Sequence, residues 1–67
     1  MKYRVLNENV DFAYIGMIID LGEAEEEDDR TILAWREEDQ EWPGGSFWYN
    51  PNDVARVSTK MYYEKCS

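Results

Sequence analysis

Apolar residues in this chain recur at every second position, in short segments separated by turn-forming residues. The clearest segment is Tyr14–Leu21, in which one face carries Ile15, Met17, Ile19 and Leu21. This alternation is typical of a half-buried β-strand, whereas an amphipathic helix repeats its apolar residues at three and four positions. Because 67 residues provide one small core, the pattern predicts a single all-β domain over 1–67.

The same patterning predicts five strands along the chain. They are Lys2–Leu6, Tyr14–Leu21, Thr31–Arg36, Ser46–Asn50 and Val54–Tyr63. Glycine inside a strand often marks a bulge or a tight bend, so the second strand is expected to bend at Gly16. The other predictions are an acidic loop over 22–30, a turn at Pro43–Gly45 and a 3-10 turn near Pro51.

The main alternative is a helix over Glu23–Trp42, a segment rich in residues that favour helices. Its apolar residues cluster at Ile32–Trp35, however, instead of recurring with helical spacing. A helix would also crowd carboxylates at positions three and four apart. The strand interpretation is therefore preferred, and the helix is kept as the alternative.

Five short strands suggest a closed barrel, since closure removes the exposed edges of a small sheet. The run Gly44–Val57 (GGSFWYNPNDVARV) resembles the end of an SH3-like barrel, where a strand leads through a proline-containing 3-10 turn into a short strand. Tyr14–Asp20 (YIGMIID) also resembles the second strand of small SH3-like and KOW-type domains. The resemblance implies a small five-stranded SH3-like barrel. The motif of polyproline-binding SH3 domains (Ala-Leu-Tyr-Asp-Tyr) is absent from the N-terminal half, and acidic loops stand in place of the basic RNA-contacting loops of KOW domains.

The net charge of −8 is concentrated in one part of the chain. Asp20–Glu41 holds eleven acids against two arginines and is net −9, whereas the remainder has four acids and five bases and is net +1. Nucleic-acid affinity depends on lysine and arginine neutralising phosphates, so direct nucleic-acid binding is not expected. A concentrated negative field would instead speed association with a basic protein surface.

Tryptophans border this acidic segment. Phe47 and Tyr49 are expected in the core, where Trp35 is a further candidate, and alternation then turns Trp48 outward. Trp42 stands in a predicted turn, where exposure is expected, although packing against Trp48 on the outside of the barrel is an equal alternative. Exposed tryptophans are enriched in interfaces. The predicted partner-binding residues are Glu25, Glu26, Glu27, Asp28, Asp29, Glu37, Glu38, Asp39, Glu41, Trp42 and Trp48.

Composition argues against catalysis and against a cofactor. The chain has no histidine, and Cys66, its one cysteine, has no histidine to activate it. Glu25–Asp29 could attract calcium, but it lacks the spacing and the glycine of an EF-hand loop, so a solvated loop is expected and no metal site is predicted. A single cysteine and the lack of an apolar leader or spanning segment predict a cytoplasmic protein away from membranes.

These features together predict a non-enzymatic protein–protein interaction module. Its acidic, tryptophan-bearing surface would dock on a basic partner surface, such as one that binds nucleic acid. In that role it would resemble the DNA-mimic inhibitors found among small phage and mobile-element proteins. Three alternatives stay open: a structural or accessory subunit that homo-oligomerises through exposed aromatics, an aromatic cage for a cationic group such as a methylated lysine, and a weak enzyme or metal binder.

Overall fold

The computed structural model describes residues 1–27 and 31–57, with only the backbone described at positions 26 and 27. Within these residues the chain forms two three-stranded antiparallel sheets, with strand orders β2-β1-β6 and β3-β4-β5. The strands are β1 (Lys2–Val5), β2 (Ile18–Asp20), β3 (Glu26–Glu27), β4 (Ile32–Arg36), β5 (Gly45–Tyr49) and β6 (Val54–Arg56). A 3-10 helix, Pro51–Asp53, connects β5 to β6.

The predicted all-β class is confirmed, and each of the five predicted strands overlaps an observed one. The alternative helix over Glu23–Trp42 is wrong, because β3 and β4 lie there. The predicted acidic loop over 22–30 contains the two-residue strand β3. The last predicted strand is seen as β6, and its continuation from Ser58 to Tyr63 lies outside the described residues.

Gly16 bends the chain ahead of β2, at the position predicted for a bend. Its φ of +88° lies in the region that favours glycine. The Met17 N–H donates to the Tyr14 carbonyl at 3.0 Å, which closes a tight turn, and the Gly16 N–H donates to the Val5 carbonyl at 2.8 Å. The predicted strand from Tyr14 therefore begins only at Ile18, since the first part of that segment forms the turn.

The two sheets meet where the end of β2 passes beside the end of β4. An isolated bridge pairs Leu21 with Arg36. The Gly22 N–H donates to the Trp35 carbonyl at 2.8 Å, and the Glu37 N–H donates to the Asp20 carbonyl at 3.0 Å. The next pair along is Glu26 with Leu33 of the β3–β4 ladder. From the bridge to this pair the chain advances five residues on the Leu21 side and three residues on the Arg36 side. Two extra residues are thus accommodated between Gly22 and Glu25, and they let the chain pass from one sheet to the other.

The described residues form two open sheets, so the predicted closed barrel is not confirmed. The consecutive strands β5 and β6 belong to different sheets. The 3-10 helix between them redirects the chain, as the sequence predicts near Pro51. The Asn50 side chain accepts from the Asn52 N–H at 2.9 Å and caps this helix.

The core lies between the sheets and is built from the residues that alternation turns inward. Each buried aliphatic side chain stabilises the fold by about 1.5–3 kcal/mol relative to exposure. The buried apolar residues are Val5, Val10, Met17, Ile19, Leu21, Ala34, Phe47, Tyr49 and Val54. One charged residue, Arg36, is buried with them and is 0% exposed.

Candidate interaction surface

Alternation along β4 and β5 divides their side chains between the core and an outer face. Ala34, Phe47 and Tyr49 are buried, whereas Trp35 is 52% exposed and Trp48 is 47% exposed. The prediction that Phe47 and Tyr49 point inward and Trp48 outward is confirmed. Trp35, which the sequence offered only as a candidate for the core, lies outside it, because Ala34 and Arg36 occupy the inward positions on either side of it.

The register of β4 and β5 brings the two exposed tryptophans close together. Leu33 pairs with Trp48, and Trp35 pairs with Ser46. The Leu33 and Trp35 carbonyls accept hydrogen bonds from the β3 side. Both pairs are therefore of the non-hydrogen-bonded kind, in which side chains approach most closely. Trp35 and Trp48 occupy diagonal positions, at which side chains of neighbouring strands are about 7–8 Å apart or slightly closer.

We call Leu33, Trp35, Ser46 and Trp48 the tryptophan face. Among the described residues, neither Trp35 nor Trp48 makes a ring contact or a cation–π contact. Both indole rings are therefore exposed and are not covered by another ring or cation of the described residues.

Acidic side chains border the tryptophan face. Beside β4, the chain from Gly22 to Glu25 is held by the Gly22 bond to Trp35 and by a 2.9 Å bond from the Glu25 N–H to the Leu33 carbonyl. Glu23 and Glu25 are exposed in this stretch. We call Glu23, Glu25 and Glu37 the acidic rim. Glu37 is also exposed and follows Trp35 by two positions. Exposed carboxylates thus lie close to Trp35 along the backbone, in the passage from β2 to β3 and directly after β4.

The predicted acidic residues are distributed over several environments. Glu25 lies in the acidic rim, whereas Glu26 and Glu27 form β3. Asp28 and Asp29 lie outside the described residues. The β4–β5 loop carries exposed Glu37, Glu38 and Glu41. Among the described residues, none of these exposed loop acids forms a salt bridge. They are available to a partner.

Asp39 differs from its acidic neighbours because its carboxylate is used within the molecule. The Arg36 Nε donates to one Asp39 oxygen at 2.9 Å, and Arg36 Nη2 donates to the other at 3.1 Å. The Asp39 side chain is only 18% exposed. A carboxylate held in this way has little to offer a partner.

Arg36 is the residue that the sequence analysis missed. Besides Asp39, its guanidinium donates to the Asp11 carbonyl at 3.2 Å and to the Phe12 carbonyl at 2.8 Å. It also lies over the Phe47 ring, with 4.7 Å between Cζ and the ring centroid. The signal in the sequence is that Arg36 continues the inward row of Ile32 and Ala34, with an acid three residues further on.

Trp42 occupies a different environment from Trp48. Its ring is half-buried and packs against Phe12 at 5.3 Å and against Phe47 at 5.2 Å between centroids. The exposed position expected for Trp42 is therefore wrong. Packing of Trp42 on Trp48 is also not seen, because Trp42 contacts the inward Phe47 and Trp48 points the other way. Its assignment to a partner-binding surface stays a prediction.

The described residues offer no group of three or more cysteine, aspartate or glutamate side chains placed to hold a metal ion. They also contain no helix that is long and apolar enough to cross a membrane. Comparison with known proteins gave no match: no family model matches the sequence, and no curated protein or solved structure is significantly similar to it.

Proposed function

We propose that this protein is a non-enzymatic interaction module whose tryptophan face and acidic rim dock on a basic surface of a partner protein. The observation that carries the proposal is the juxtaposition of Trp35 and Trp48 with unpaired carboxylates. Exposed apolar patches with polar borders mark interaction sites. Tryptophans supply most of the affinity in such interfaces, and charge complementarity supplies orientation and speed.

The anchoring residues follow from the geometry. From the sequence, Trp42 and Trp48 were the expected anchors, but Trp42 packs on the inner side of β5. Trp35 shares the outer face with Trp48 and takes the place of Trp42 in this proposal. The acids closest to the anchors along the backbone are Glu23, Glu25 and Glu37, and they form the border of the interface.

The partner class follows from the charge. A surface complementary to a net −9 segment is rich in lysine and arginine, and such surfaces commonly bind nucleic acid. We propose that the protein occludes such a surface and acts as an inhibitor that mimics nucleic acid. Carboxylates of this protein would then contact the basic residues of the partner that otherwise bind phosphates.

The SH3-like layout is part of the same proposal. In that layout β2 and β3 would be two halves of one bent strand, which contributes to both sheets. The strand orders β2-β1-β6 and β3-β4-β5, the bulged passage from Gly22 to Glu25 and the 3-10 helix before β6 are compatible with it.

The test is to isolate the partner from the source cells and to measure its affinity at several salt concentrations. Trp35→Ala and Trp48→Ala should each weaken binding about 30-fold, the loss typical of a hot-spot residue. Tyr14→Ala, an exposed aromatic in the turn before β2, is the matched control and should leave the affinity unchanged. Added nucleic acid should compete for the partner. An affinity that is the same at low and physiological salt would contradict acidic docking.

A structural role as a homo-oligomer is the second candidate, and the open edge of β5 favours it. Ala34 and Phe47 pair within the ladder, so the backbone groups of Ser46 and Trp48 point to the other side of β5. These groups have no partner among the described residues, and an unpaired edge is a template for pairing with another chain. Sedimentation velocity separates the candidates: a stable oligomer that Trp48→Ala disperses would favour the structural role, and a monomer would favour docking.

A further inference from the structure

We propose that Trp35 and Trp48 form a binding site for an arginine side chain of the partner, with the guanidinium stacked on the indole rings and held by a carboxylate of the acidic rim. This inference rests on the proposed function and deepens it, because it names the side chain that the tryptophan face recognises. A basic surface in general would be steered by charge alone. A paired indole site selects among basic side chains.

The spacing of the two tryptophans suits a planar group. Diagonal positions on neighbouring antiparallel strands lie about 7–8 Å apart or slightly closer. Atoms in optimal contact are about 3.5–4.0 Å apart, so side chains that start from positions at this spacing can place their rings on the two faces of one flat group. The guanidinium of arginine is planar and stacks on aromatic faces, whereas the ammonium of lysine is a compact and strongly hydrated charge.

The rings are uncovered and the counter-charge is close. Trp35 is 52% exposed and Trp48 is 47% exposed, and no described cation or ring lies against either. Glu37 continues the outward row of β4 two positions beyond Trp35, a step of about 7 Å along a strand. Glu23 follows Gly22, whose N–H is bonded to the Trp35 carbonyl. The exposed residues Glu23 and Glu37 are therefore the acids best placed along the backbone to hold a guanidinium on the rings.

The inner face of the same two strands already shows this chemistry within the molecule. Arg36 lies over the rings of Phe47 and Trp42, with Cζ at 4.7 Å and 5.6 Å from the ring centroids. Its donors are paired with the carboxylate of Asp39. Two rings and one carboxylate thus hold a guanidinium on one side of the β4–β5 hairpin. The outer side of the same hairpin presents two exposed indole rings, with exposed glutamates close to them along the backbone.

The test compares two peptides of equal charge, acetylated and amidated octa-arginine and octa-lysine. Their affinities for the whole protein are measured by calorimetry at matched, low ionic strength. We expect octa-arginine to bind about fivefold more tightly or better, the contribution of about 1 kcal/mol for guanidinium stacking at an exposed site. Trp35→Leu and Trp48→Leu should each reduce this preference, and the double variant should abolish it. Octa-lysine should bind all these variants and the wild type with similar affinity.

Two further variants make the result specific. Trp48→Phe keeps a smaller ring and should retain part of the preference, which a merely structural effect would not reproduce. Tyr14→Leu removes an exposed aromatic elsewhere and should retain all of it. Circular dichroism spectra establish that each variant is folded.

The outcomes separate the two levels of the proposal. If both peptides bind equally and the tryptophan variants change nothing, the arginine site is refuted while acidic docking stands. A preference for octa-arginine that survives the double variant also refutes the site. If neither peptide binds at low ionic strength, both the arginine site and the proposed function fail.

Discussion

The buried guanidinium of Arg36 donates to both carboxylate oxygens of Asp39, with Nε at 2.9 Å from one and Nη2 at 3.1 Å from the other. The same guanidinium donates to the Asp11 and Phe12 carbonyls. The pair therefore ties the loop before β2 to the β4–β5 hairpin. Asp39 belongs to the acidic segment, but its carboxylate stabilises the fold.

Arg36→Ala is expected to destabilise the protein by about 3–5 kcal/mol, because it leaves the largely buried Asp39 carboxylate without its counter-charge and two carbonyls without their side-chain donor. Urea denaturation followed by far-UV circular dichroism measures this change. Arg56→Ala, on the exposed part of β6, is the matched control and should stay within about 0.5 kcal/mol of the wild type. Equal effects of the two substitutions would show that the buried network contributes nothing.

Truncation of two neighbouring aromatic residues on β5 should lower stability to very different extents. Phe47→Ala removes a buried ring that contacts Trp42 and Arg36, and should cost about 3–5 kcal/mol. Trp48→Ala removes an exposed ring and should cost less than about 1 kcal/mol in stability while it weakens partner binding. Thermal denaturation of the two variants checks the alternation, and a loss of stability in Trp48→Ala as large as that in Phe47→Ala would contradict it.

Trp42 carries a buried indole N–H that has no acceptor among the described residues. An unsatisfied buried donor costs about 1–3 kcal/mol. Trp42→Phe removes this donor and part of the ring, so the gain and the loss of packing should nearly cancel and leave stability within about 1 kcal/mol of the wild type. Trp42→Ala removes the whole ring and should cost about 3–5 kcal/mol. Denaturant midpoints of the two variants give the comparison, and a loss in Trp42→Phe clearly above that margin would mean that the N–H carries no penalty.

Gly16 and Gly22 provide a matched pair of backbone tests. Gly16→Ala forces a side chain into a φ of +88° and should cost about 1–2 kcal/mol, although there is open space around the position. At Gly22, whose φ lies outside that region, a Cβ would meet the Trp35 Cβ at an ordinary 3.7 Å, so Gly22→Ala should be neutral or slightly stabilising. Urea midpoints distinguish the two, and similar costs at both positions would contradict the conformational argument.

Much of the local structure could be predicted from the sequence because it depends on neighbours in the chain. Alternation through Phe47, Trp48 and Tyr49 predicts which of them point inward, since side chains in a strand alternate between its faces. Gly16 and Pro51 predict a bend and a 3-10 helix because their backbone preferences are intrinsic. From the sequence Trp35 is only a candidate for the core, because apolar character alone does not specify which face of β4 is covered.

The candidate site could be predicted only in part. The sequence located the acidic segment and the outward Trp48, but it could not tell that Asp39 is neutralised by Arg36 or that Trp42 packs on Phe47. Both are contacts between separate elements or across a loop. Their formation depends on how the β4–β5 hairpin closes over the loop before β2.

The sequence by itself therefore determined the all-β class, the approximate positions of five of the six described strands and the concentration of negative charge, because composition and period-two patterning are local properties. The tertiary structure decided the rest. The Leu21–Arg36 bridge joins the two open sheets. The Leu33–Trp48 register places Trp35 and Trp48 at diagonal positions on neighbouring strands. Strand register is a long-range property set by which side chains can be buried together, so only the folded chain shows which acids and which tryptophans share a surface.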